Sequence, residues 1–248
     1  MRDCIIIIPT YNEKENIGNI IPYTLNLSDR FEILIIEDGS PDGTAAIVKS
    51  LMSQFPNRIH IIERTGKLGL GTAYITGFKW ALEKGYSYIF EMDADFSHPP
   101  EKLLELLDAC ENKGAYLSVG SRYVKGGSVV NWPFDRLFLS WFASKYVRLV
   151  TGMRIKDTTA GFVCYRNATL QKIDFDKIKF VGYAFQIEMK FAVWLTEVKV
   201  IEVPIVFKDR EAGTSKMSGS IIKEAVLGVL QMKIQAFKNK YFYLPEKK

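Results

Sequence analysis

Short apolar runs alternate with helical patterns through the first half of the chain. The apolar, largely β-branched runs predict buried strands at residues 4–8, 31–36, 59–63, 88–92 and 116–121. The segments between them carry apolar residues at helical spacing, which predicts helices at residues 14–25, 44–55, 70–84 and 100–112. Repeated strand–helix units with near-continuous apolar strands are typical of an α/β fold, in which helices cover both faces of a mostly parallel sheet.

The second half of the chain is less regular. Its pattern predicts an aromatic-rich helix at 132–150, a helix at 182–195, a strand at 198–207, a polar loop at 209–219 and an amphipathic helix at 220–239. We therefore predict one α/β domain over residues 1–219, followed by a C-terminal amphipathic helix and polar tail over residues 220–248.

Composition narrows the class of protein. The 248 residues are 48% hydrophobic and 25% charged, which is typical of a globular chain with a sizeable core. The net charge of +5 fits an anionic partner such as a phosphate or a lipid head group, and equally a solvated basic surface. A nucleic-acid binder would need a denser basic stripe. The three cysteines are widely spaced and predict reduced core residues in a reducing compartment.

The apolar pattern also indicates how the chain could contact a membrane. An apolar strand begins at Cys4, so we expect no signal peptide. No segment approaches the roughly 18 uninterrupted apolar residues that span a bilayer. We expect a cytoplasmic protein whose membrane contact is peripheral, through the amphipathic stretches 132–150 and 220–237. Ordinary core packing is the alternative for each stretch.

Acidic residues follow the predicted strands, at the edge where parallel sheets bind ligands. Asp93 and Asp95 come after the fourth strand and, one residue apart in extended backbone, point the same way. A hard ion such as Mg²⁺ or Mn²⁺ would relieve their repulsion and bridge them to a diphosphate. The alternative is a capping pair before the next helix. His98 is either a further polar contact or a loop residue.

Other polar residues near strand ends are suited to a nucleotide and its phosphates. Tyr11, Glu13 and Asp38 could bind the base or ribose of a nucleotide. The same segments are also typical of turns and of the start of a helix, which is the alternative. The glycines of residues 67–71 indicate a tight strand-to-helix turn, since the spacing of a P-loop is absent. Three cations in segments that follow predicted strands suit phosphate oxygens or, individually, a solvated surface: Arg122, Arg210 and Lys216.

Taken together, these segments resemble family 2 of the inverting glycosyltransferases with the GT-A fold. Within that family the chain is most similar to dolichol-phosphate and polyprenyl-phosphate mannose synthases. The matching motifs occur in the family's order over about residues 3–220: PTYNE at 9–13, DGSPDGT at 38–44, KLGLGTAY at 67–74, DADFSHPP at 93–100, GSRY at 120–123 and the DR…SK pair at 209–216.

The resemblance implies roles for individual residues. The nucleotide would be held by Pro9, Tyr11, Glu13, Ile36 and Asp38. The metal and diphosphate would be held by Asp93, Ala94 and Asp95, and the donor phosphates or sugar by Arg122, Arg210 and Lys216. Arg136 matches a residue for the lipid phosphate, and Asp157 is interpreted as orienting that acceptor site. Departures from the family pattern are Glu37, Leu137, Trp141, Phe142 and Ala160.

The predicted reaction moves a sugar from a nucleotide diphosphate sugar to a polyprenyl phosphate at a membrane surface. A phosphate acceptor is already ionised, so in-line displacement needs no strong base. Asp93, Asp95, Arg210 and Lys216 would be catalytic, by stabilising the leaving diphosphate. GDP-mannose is the expected donor and UDP-glucose its nearest rival, and the family sometimes uses a small membrane subunit. The alternatives are a polysaccharide or other hydroxyl acceptor, which requires a base, and a non-catalytic nucleotide-binding module.

Overall fold

The computed structural model describes residues 2–182, 184–209, 219–238 and 241, and centres on a seven-stranded sheet. Its strand order is β3-β2-β1-β4-β7-β5-β8. A separate two-stranded ribbon pairs β6 with β9. The strands are β1 Cys4–Thr10, β2 Phe31–Glu37, β3 Ile59–Glu63, β4 Tyr88–Glu91, β5 Leu117–Ser121, β6 Ser128–Val130, β7 Val163–Arg166, β8 Val200–Pro204 and β9 Val206–Lys208.

Helices cover both faces of this sheet. They are α1 Lys14–Asn26, α2 Thr44–Gln54, α3 Leu70–Glu83, α4 Leu103–Glu111, α5 Phe134–Thr151, α6 Asn167–Leu170, α7 Ala184–Trp194 and α8 Gly219–Lys238. A short 3-10 turn at Pro100–Lys102 precedes α4, so the helix predicted over residues 100–112 is a 3-10 turn followed by an α-helix. The other predicted helices begin and end within two residues of the observed ones.

The strand pairing confirms the predicted mostly parallel sheet. β3, β2, β1 and β4 run parallel to one another, and β5 runs parallel to β8. β7 lies between β4 and β5 and is antiparallel to both. The sequence did not predict this strand, because its four residues carry no periodic pattern distinct from a short loop. β7 separates the nucleotide-binding half expected at β1, β2 and β4 from the second half of the sheet.

The single strand predicted over residues 198–207 is wrong, because the chain changes partner within it. β8 pairs with β5 as far as Pro204, which lies opposite Ser121. Beyond that point Val206–Lys208 forms the ribbon with β6. Proline has no backbone N–H to continue a ladder, which favours the end of pairing there. The ribbon carries Phe207 and leads to Asp209, both of which line the candidate site described below.

Alternate side chains along the strands pack into two apolar layers, one on each face of the sheet. Ile5 and Ile7 of β1 face the layer built with α3, α5, α7 and α8. Cys4, Ile6 and Ile8 face the layer built with α1, α2 and α4. All three cysteines are free thiols in the interior, which confirms their predicted place in the core.

The C-terminal helix α8 contributes to the core as well as to the surface. Val229 and Met232 are buried in the layer that also holds α7. α8 packs against both α5 and α7. The predicted division between residues 1–219 and 220–248 stays a prediction. Within the part of the chain that the structure describes, no helix is both long enough and apolar enough to cross a bilayer.

The turn before α3 brings the glycine-rich segment against the start of α7. Gly69 has φ +98°, and α3 begins at the next residue, which confirms the predicted strand-to-helix turn. The backbone N–H of Gly71 donates to the carbonyl of Val181 at 2.8 Å. A methyl group on Gly71 would lie 2.7 Å from the carbonyl oxygen of Phe180 and from the ring of Phe185.

Gly71→Ala is therefore expected to destabilise the protein by about 1–3 kcal/mol, because overpacking against backbone outweighs the helix propensity of alanine. Urea denaturation measures the effect. Gly66→Ala is the matched control, since its added methyl group meets nothing within 4 Å. Equal midpoints for the two variants would contradict the predicted close packing.

Candidate active site

A cavity of about 500 Å³ lies at the carboxyl end of β4 and β5. Acidic residues line one part of it and arginines another, and apolar residues of α5, α7 and α8 close it. Its polar lining residues include Asp93, Asp95, Ser97, His98, Arg122, Arg136, Thr159, Gln186 and Asp209. The structure thus brings Asp93, Asp95, Arg122 and Arg136, predicted separately from the sequence, to the wall of one cavity.

The acidic wall is a turn that follows β4. The side chain of Asp93 is 39% exposed, whereas Asp95 is 7% exposed and accepts the backbone N–H of Ser97 at 3.0 Å. Between them Ala94 is buried, and it packs in the core beneath the turn. Phe96 has φ +59°, a conformation uncommon for a bulky side chain. This reversal of the chain leaves both carboxylates on the cavity wall.

His98 supports the same turn from within. Its Nδ1 accepts the backbone N–H of Asp93 at 3.1 Å, so its Nε2 carries the proton in the neutral ring. The ring stacks on Phe162 and meets the edge of Phe207. Burial lowers the pKa of His98 to about 4, although Asp95 opposes this shift. His98 is therefore a buried, neutral loop residue that supports the turn through its hydrogen bond with the backbone of Asp93.

The donor atoms of this turn fit a hard divalent cation. Within the described ranges, no three His, Cys, Asp or Glu side chains gather closely enough to hold a metal by themselves. Two carboxylates on one cavity wall nevertheless suit Mg²⁺ or Mn²⁺, because such ions are often held by one or two carboxylates with phosphate oxygens and water. Asp93 and Asp95 are the residues of this chain that fit the role.

The predicted nucleotide-binding residues lie beside this turn, at the ends of β1 and β2. Pro9 pairs in register with Ile36, and the backbone N–H of Asp38 donates to the carbonyl of Thr10 at 3.0 Å. Because β1 lies between β2 and β4, this edge is continuous with the turn at Asp93. None of Pro9, Tyr11, Glu13, Ile36 and Asp38 lines the 500 Å³ cavity itself.

Tyr11 and Glu13 occupy the outer part of that edge. Tyr11 is partly exposed, and the Lys67 ammonium lies 4.9 Å from its ring centroid. The Glu13 carboxylate accepts from the Asn16 amide at 2.9 Å. An exposed aromatic face with a cation beside it is suited to stacking on a base.

Asp38 has a partner that the sequence analysis missed. The Arg64 guanidinium donates to both of its carboxylate oxygens, at 2.6 and 2.7 Å. Arg64 also donates to Thr72 at 2.8 Å, which ties the end of β2 to the start of α3. The available signal was position, since Arg64 follows β3 just as Asp38 follows β2.

The basic wall of the cavity is built on Trp132. Arg122 and Arg136 lie over its ring at 5.4 and 4.1 Å from the centroid. Arg122 is buried and forms a two-pronged pair with Asp157, at 2.7 and 2.6 Å. Arg136, in the first turn of α5, pairs with Asp209 at 3.0 Å. Asp157 thus pairs with Arg122, whereas the partner of Arg136 is Asp209, and the predicted role of Asp157 in orienting the acceptor site stays a prediction.

The Arg122–Asp157 pair is ionised in the interior. Burial raises the pKa of the Asp157 carboxyl, but the adjacent Arg122 guanidinium lowers it more, and the result is below the usual range. Burial lowers the pKa of Arg122 while Asp157 raises it, and the net change is upward. Thr159 accepts a further Arg122 N–H at 2.8 Å. The pair thus fixes a permanent cation on the cavity wall.

A buried network beneath the cavity was also missed by sequence analysis. The Glu91 carboxylate accepts from Tyr165 at 2.9 Å and from the Gln186 amide. Lys190 donates to the carbonyl of Ala160 and to Gln186. Burial raises the pKa of Glu91 and lowers the pKa of Lys190. The charge of each residue opposes the shift in the other more than any other group does. The available signal was that Glu91 and Lys190 are charged residues inside mostly apolar segments of the sequence.

Two predicted cations, Arg210 and Lys216, lie outside the described residues. Their predicted contacts with the donor phosphates stay a prediction. Asp209, the last described residue before them, lines the cavity beside Arg136.

Comparison with known proteins gives consistent matches. The model of the family "Glycosyl transferase family 2" matches residues 5–178. Polyprenol monophosphomannose synthase of Mycolicibacterium smegmatis is 48% identical over 93% of this chain and 87% of that protein. Undecaprenyl-phosphate mannosyltransferase of Micrococcus luteus is 44% identical over 93% of each chain. Dolichol-phosphate mannosyltransferase of Pyrococcus furiosus is 37% identical over 88% of this chain and 60% of that protein.

Solved structures agree on the architecture. A glucosyl-3-phosphoglycerate synthase from Mycobacterium tuberculosis, in complex with Mn²⁺, UDP-glucose and phosphoglyceric acid, superimposes with a TM-score of 0.67. The match covers 94% of this chain and 79% of that chain at 16% identity. This likeness concerns the fold, and it confirms the predicted GT-A class. Since the family model covers most of the chain and two relatives match nearly all of it, the chain belongs to glycosyl transferase family 2 and is a glycosyltransferase.

Proposed function

We propose that this glycosyltransferase moves mannose from GDP-mannose to a polyprenyl phosphate and inverts the configuration at the anomeric carbon. The names of three relatives, all mannosyltransferases or mannose synthases for polyprenol, undecaprenyl phosphate or dolichol phosphate, support the sugar and the acceptor. The observation that carries the proposal is one cavity with carboxylates on one wall and two arginines on another. A metal-held diphosphate and an anionic acceptor are the ligands that suit these walls.

The donor would lie along the edge formed by β1, β2 and β4. Tyr11, Glu13 and Asp38 would hold the nucleoside, with Pro9 and Ile36 beneath it. Asp93 and Asp95, beside Ala94, would hold a Mg²⁺ or Mn²⁺ ion, which supplies positive charge against the leaving diphosphate. Mn²⁺ in the nucleotide-bound structural relative supports a divalent ion. Arg210 and Lys216 would add charge to the same phosphates.

The acceptor phosphate would lie at the arginine wall. Arg136 is held by Asp209 and by the Trp132 ring, so its guanidinium is already oriented before a ligand enters. Arg122, predicted for the donor, lies over the same ring and lines the same cavity. A phosphate oxygen is already a competent nucleophile at neutral pH, so these residues need only position it for in-line attack.

The test is a panel of donors with a polyprenyl phosphate acceptor in detergent and Mn²⁺, followed by chromatography of the lipid product. We expect mannosyl-phosphoryl-polyprenol from GDP-mannose with a β linkage, read from the anomeric coupling constant by NMR. Preferred transfer from UDP-glucose would contradict the donor. Faster transfer to a sugar hydroxyl than to polyprenyl phosphate would contradict the acceptor.

We also propose a peripheral position on the cytoplasmic face of a membrane, and the surface of α5 supports the membrane contact. Five of its large apolar side chains are exposed, among them Phe134 at 81% and Leu149 at 85%. Lys145 lies over the ring of Trp141. Exposed aromatic residues interspersed with cations suit the head-group region of a bilayer. The exposed apolar residues of this surface, with those of α8, are Phe134, Phe138, Trp141, Phe142, Leu149, Leu227, Leu230 and Ile234.

Phe134→Ser with Phe138→Ser is expected to reduce flotation of the protein with anionic liposomes by about tenfold, because two exposed rings no longer enter the interface. Leu104→Ser is the control, since Leu104 is an exposed apolar residue of α4, on the opposite face of the sheet. Equal flotation of both variants would contradict this membrane surface. If a separate small membrane subunit holds the protein at the membrane, adding that subunit should restore flotation of the double variant.

A further inference from the structure

The floor of the cavity contains one amide whose orientation is determined by charge. Gln186 of α7 is 3% exposed and lines the cavity. Its Nε2 donates to the Glu91 carboxylate, and its Oε1 accepts from the Lys190 ammonium at 3.2 Å. A carboxylate can only accept and an ammonium can only donate. In the flipped orientation the amide oxygen would face the carboxylate and the amide N–H groups would face the ammonium, so neither hydrogen bond could form. Only one orientation therefore satisfies both partners.

Glu91 and Lys190 are in turn anchored to the surrounding structure. The Tyr165 hydroxyl donates to the other oxygen of Glu91 at 2.9 Å. Lys190 donates to the carbonyl of Ala160, and Ala160 lines the cavity. Lys190 itself is fully buried and does not line the cavity. Its place is therefore below the floor, where it holds both Gln186 and the segment at Ala160.

The position of Gln186 within the cavity indicates what it meets. If the diphosphate lies at Asp93 and Asp95 and the acceptor at Arg122 and Arg136, the transferred sugar must lie between those walls. Gln186 lines this same space and is uncharged. A neutral amide donor is well suited to a sugar hydroxyl, which accepts without itself carrying charge.

We propose that Gln186 donates its second Nε2 hydrogen to one hydroxyl group of the transferred sugar, and that Lys190 and Glu91 act as positioning residues for its amide. This inference rests on the proposed function and deepens it, since it assigns a residue that recognises the sugar. Gln186 would thereby contribute to discrimination among sugars that differ at that hydroxyl.

Gly161 offers a way to test the contact without disturbing the network. A methyl group added there would lie 3.5 Å from Nε2 of Gln186 and 3.7 Å from Cε1 of His98. These are ordinary contact distances, so Gly161→Ala is expected to fold. Gly161 also lines the cavity, so we expect the methyl group beside Nε2 to shield the amide from a bound sugar.

The experiment compares GDP-mannose with its 2-, 3-, 4- and 6-deoxy analogues in the wild-type protein, Gln186→Met and Gly161→Ala. With one analogue the wild-type kcat/KM is expected to fall by about tenfold, the loss of one hydrogen bond. The same analogue should cost each variant less than about twofold, because the partner of that hydroxyl is already gone. The intrinsic reactivity of each analogue cancels in this comparison. Binding of GDP alone should not change.

A double variant tests the positioning residues. Glu91→Gln with Lys190→Met removes both buried charges together and leaves neither unpaired. If these residues orient the amide, the penalty for the same deoxy analogue should shrink in this variant as it does in Gln186→Met. Gln171→Leu, an exposed glutamine after α6, is the control and should keep the wild-type penalties.

The outcomes separate this inference from the proposed function. Equal penalties for every analogue in the wild type and both single variants would overturn the role of Gln186 while leaving mannose transfer intact. An unchanged penalty in the double variant would overturn the role of Lys190 and Glu91. A wild-type protein that transfers no sugar to polyprenyl phosphate would overturn the proposed function, and this inference with it. Should Gln186→Met fail to fold, Gly161→Ala still decides.

Discussion

Asp95→Ala is expected to lower kcat/KM for sugar transfer by about a thousandfold, even at saturating Mg²⁺ or Mn²⁺, since stabilisation of leaving-group charge is usually a large part of catalysis. Asp95 lies on the cavity wall beside Asp93, and its nearly buried carboxylate is held by the backbone of Ser97. Without it the ion would keep one protein carboxylate. Steady-state rates with GDP-mannose and polyprenyl phosphate measure the loss.

The control for this variant is Asp176→Ala, because the Asp176 side chain is 84% exposed and pairs only loosely with Lys79 at the surface. It should transfer sugar at the wild-type rate. Calorimetric titration of Mn²⁺ in the presence of GDP gives a second reading, in which Asp95→Ala should weaken metal binding. Near-normal turnover of Asp95→Ala would refute the metal role assigned to this carboxylate.

Asp157→Asn is expected to destabilise the protein by about 3 kcal/mol at pH 7, because it leaves the buried Arg122 charge without its counter-ion. Both groups lie in the interior, and both carboxylate oxygens of Asp157 accept from Arg122. Urea denaturation of the two proteins gives the difference directly. Asp29→Asn serves as the control, since the side chain of Asp29 is fully exposed.

The sign of the pH dependence follows from the lowered pKa of Asp157. The ordinary value in an unfolded chain is 3.8, and the folded value is lower. The carboxylate therefore contributes its full stabilisation above that ordinary value and loses it as the pH falls through the folded pKa. The stability difference between wild type and Asp157→Asn should stay constant from pH 7 to about 5 and shrink below about 4. A difference that grows on acidification would contradict the ionised pair.

Local pattern was sufficient for much of the fold. The apolar strands at the N-terminal half alternate between two buried layers, and each is followed by a helix with an apolar stripe, so neighbouring residues alone carry the signal. The same reasoning located Asp93 and Asp95, because a polar pair directly after a buried parallel strand must emerge at the edge of the sheet. Arg136 was implied by the family resemblance, and the structure places it on the same cavity.

The tertiary structure decided which side chains meet. Arg64 joins Asp38 across 26 residues, Arg122 joins Asp157 across 35, and Gln186 joins Glu91 across 95. No local pattern encodes such pairs, since each depends on which strands become neighbours. The insertion of β7 between β4 and β5, and the change of partner after Pro204, likewise depend on distant segments. The sequence alone determined the α/β class and the acidic edge of the sheet, whereas burial in the assembled fold selected the partners that hold each charge in place.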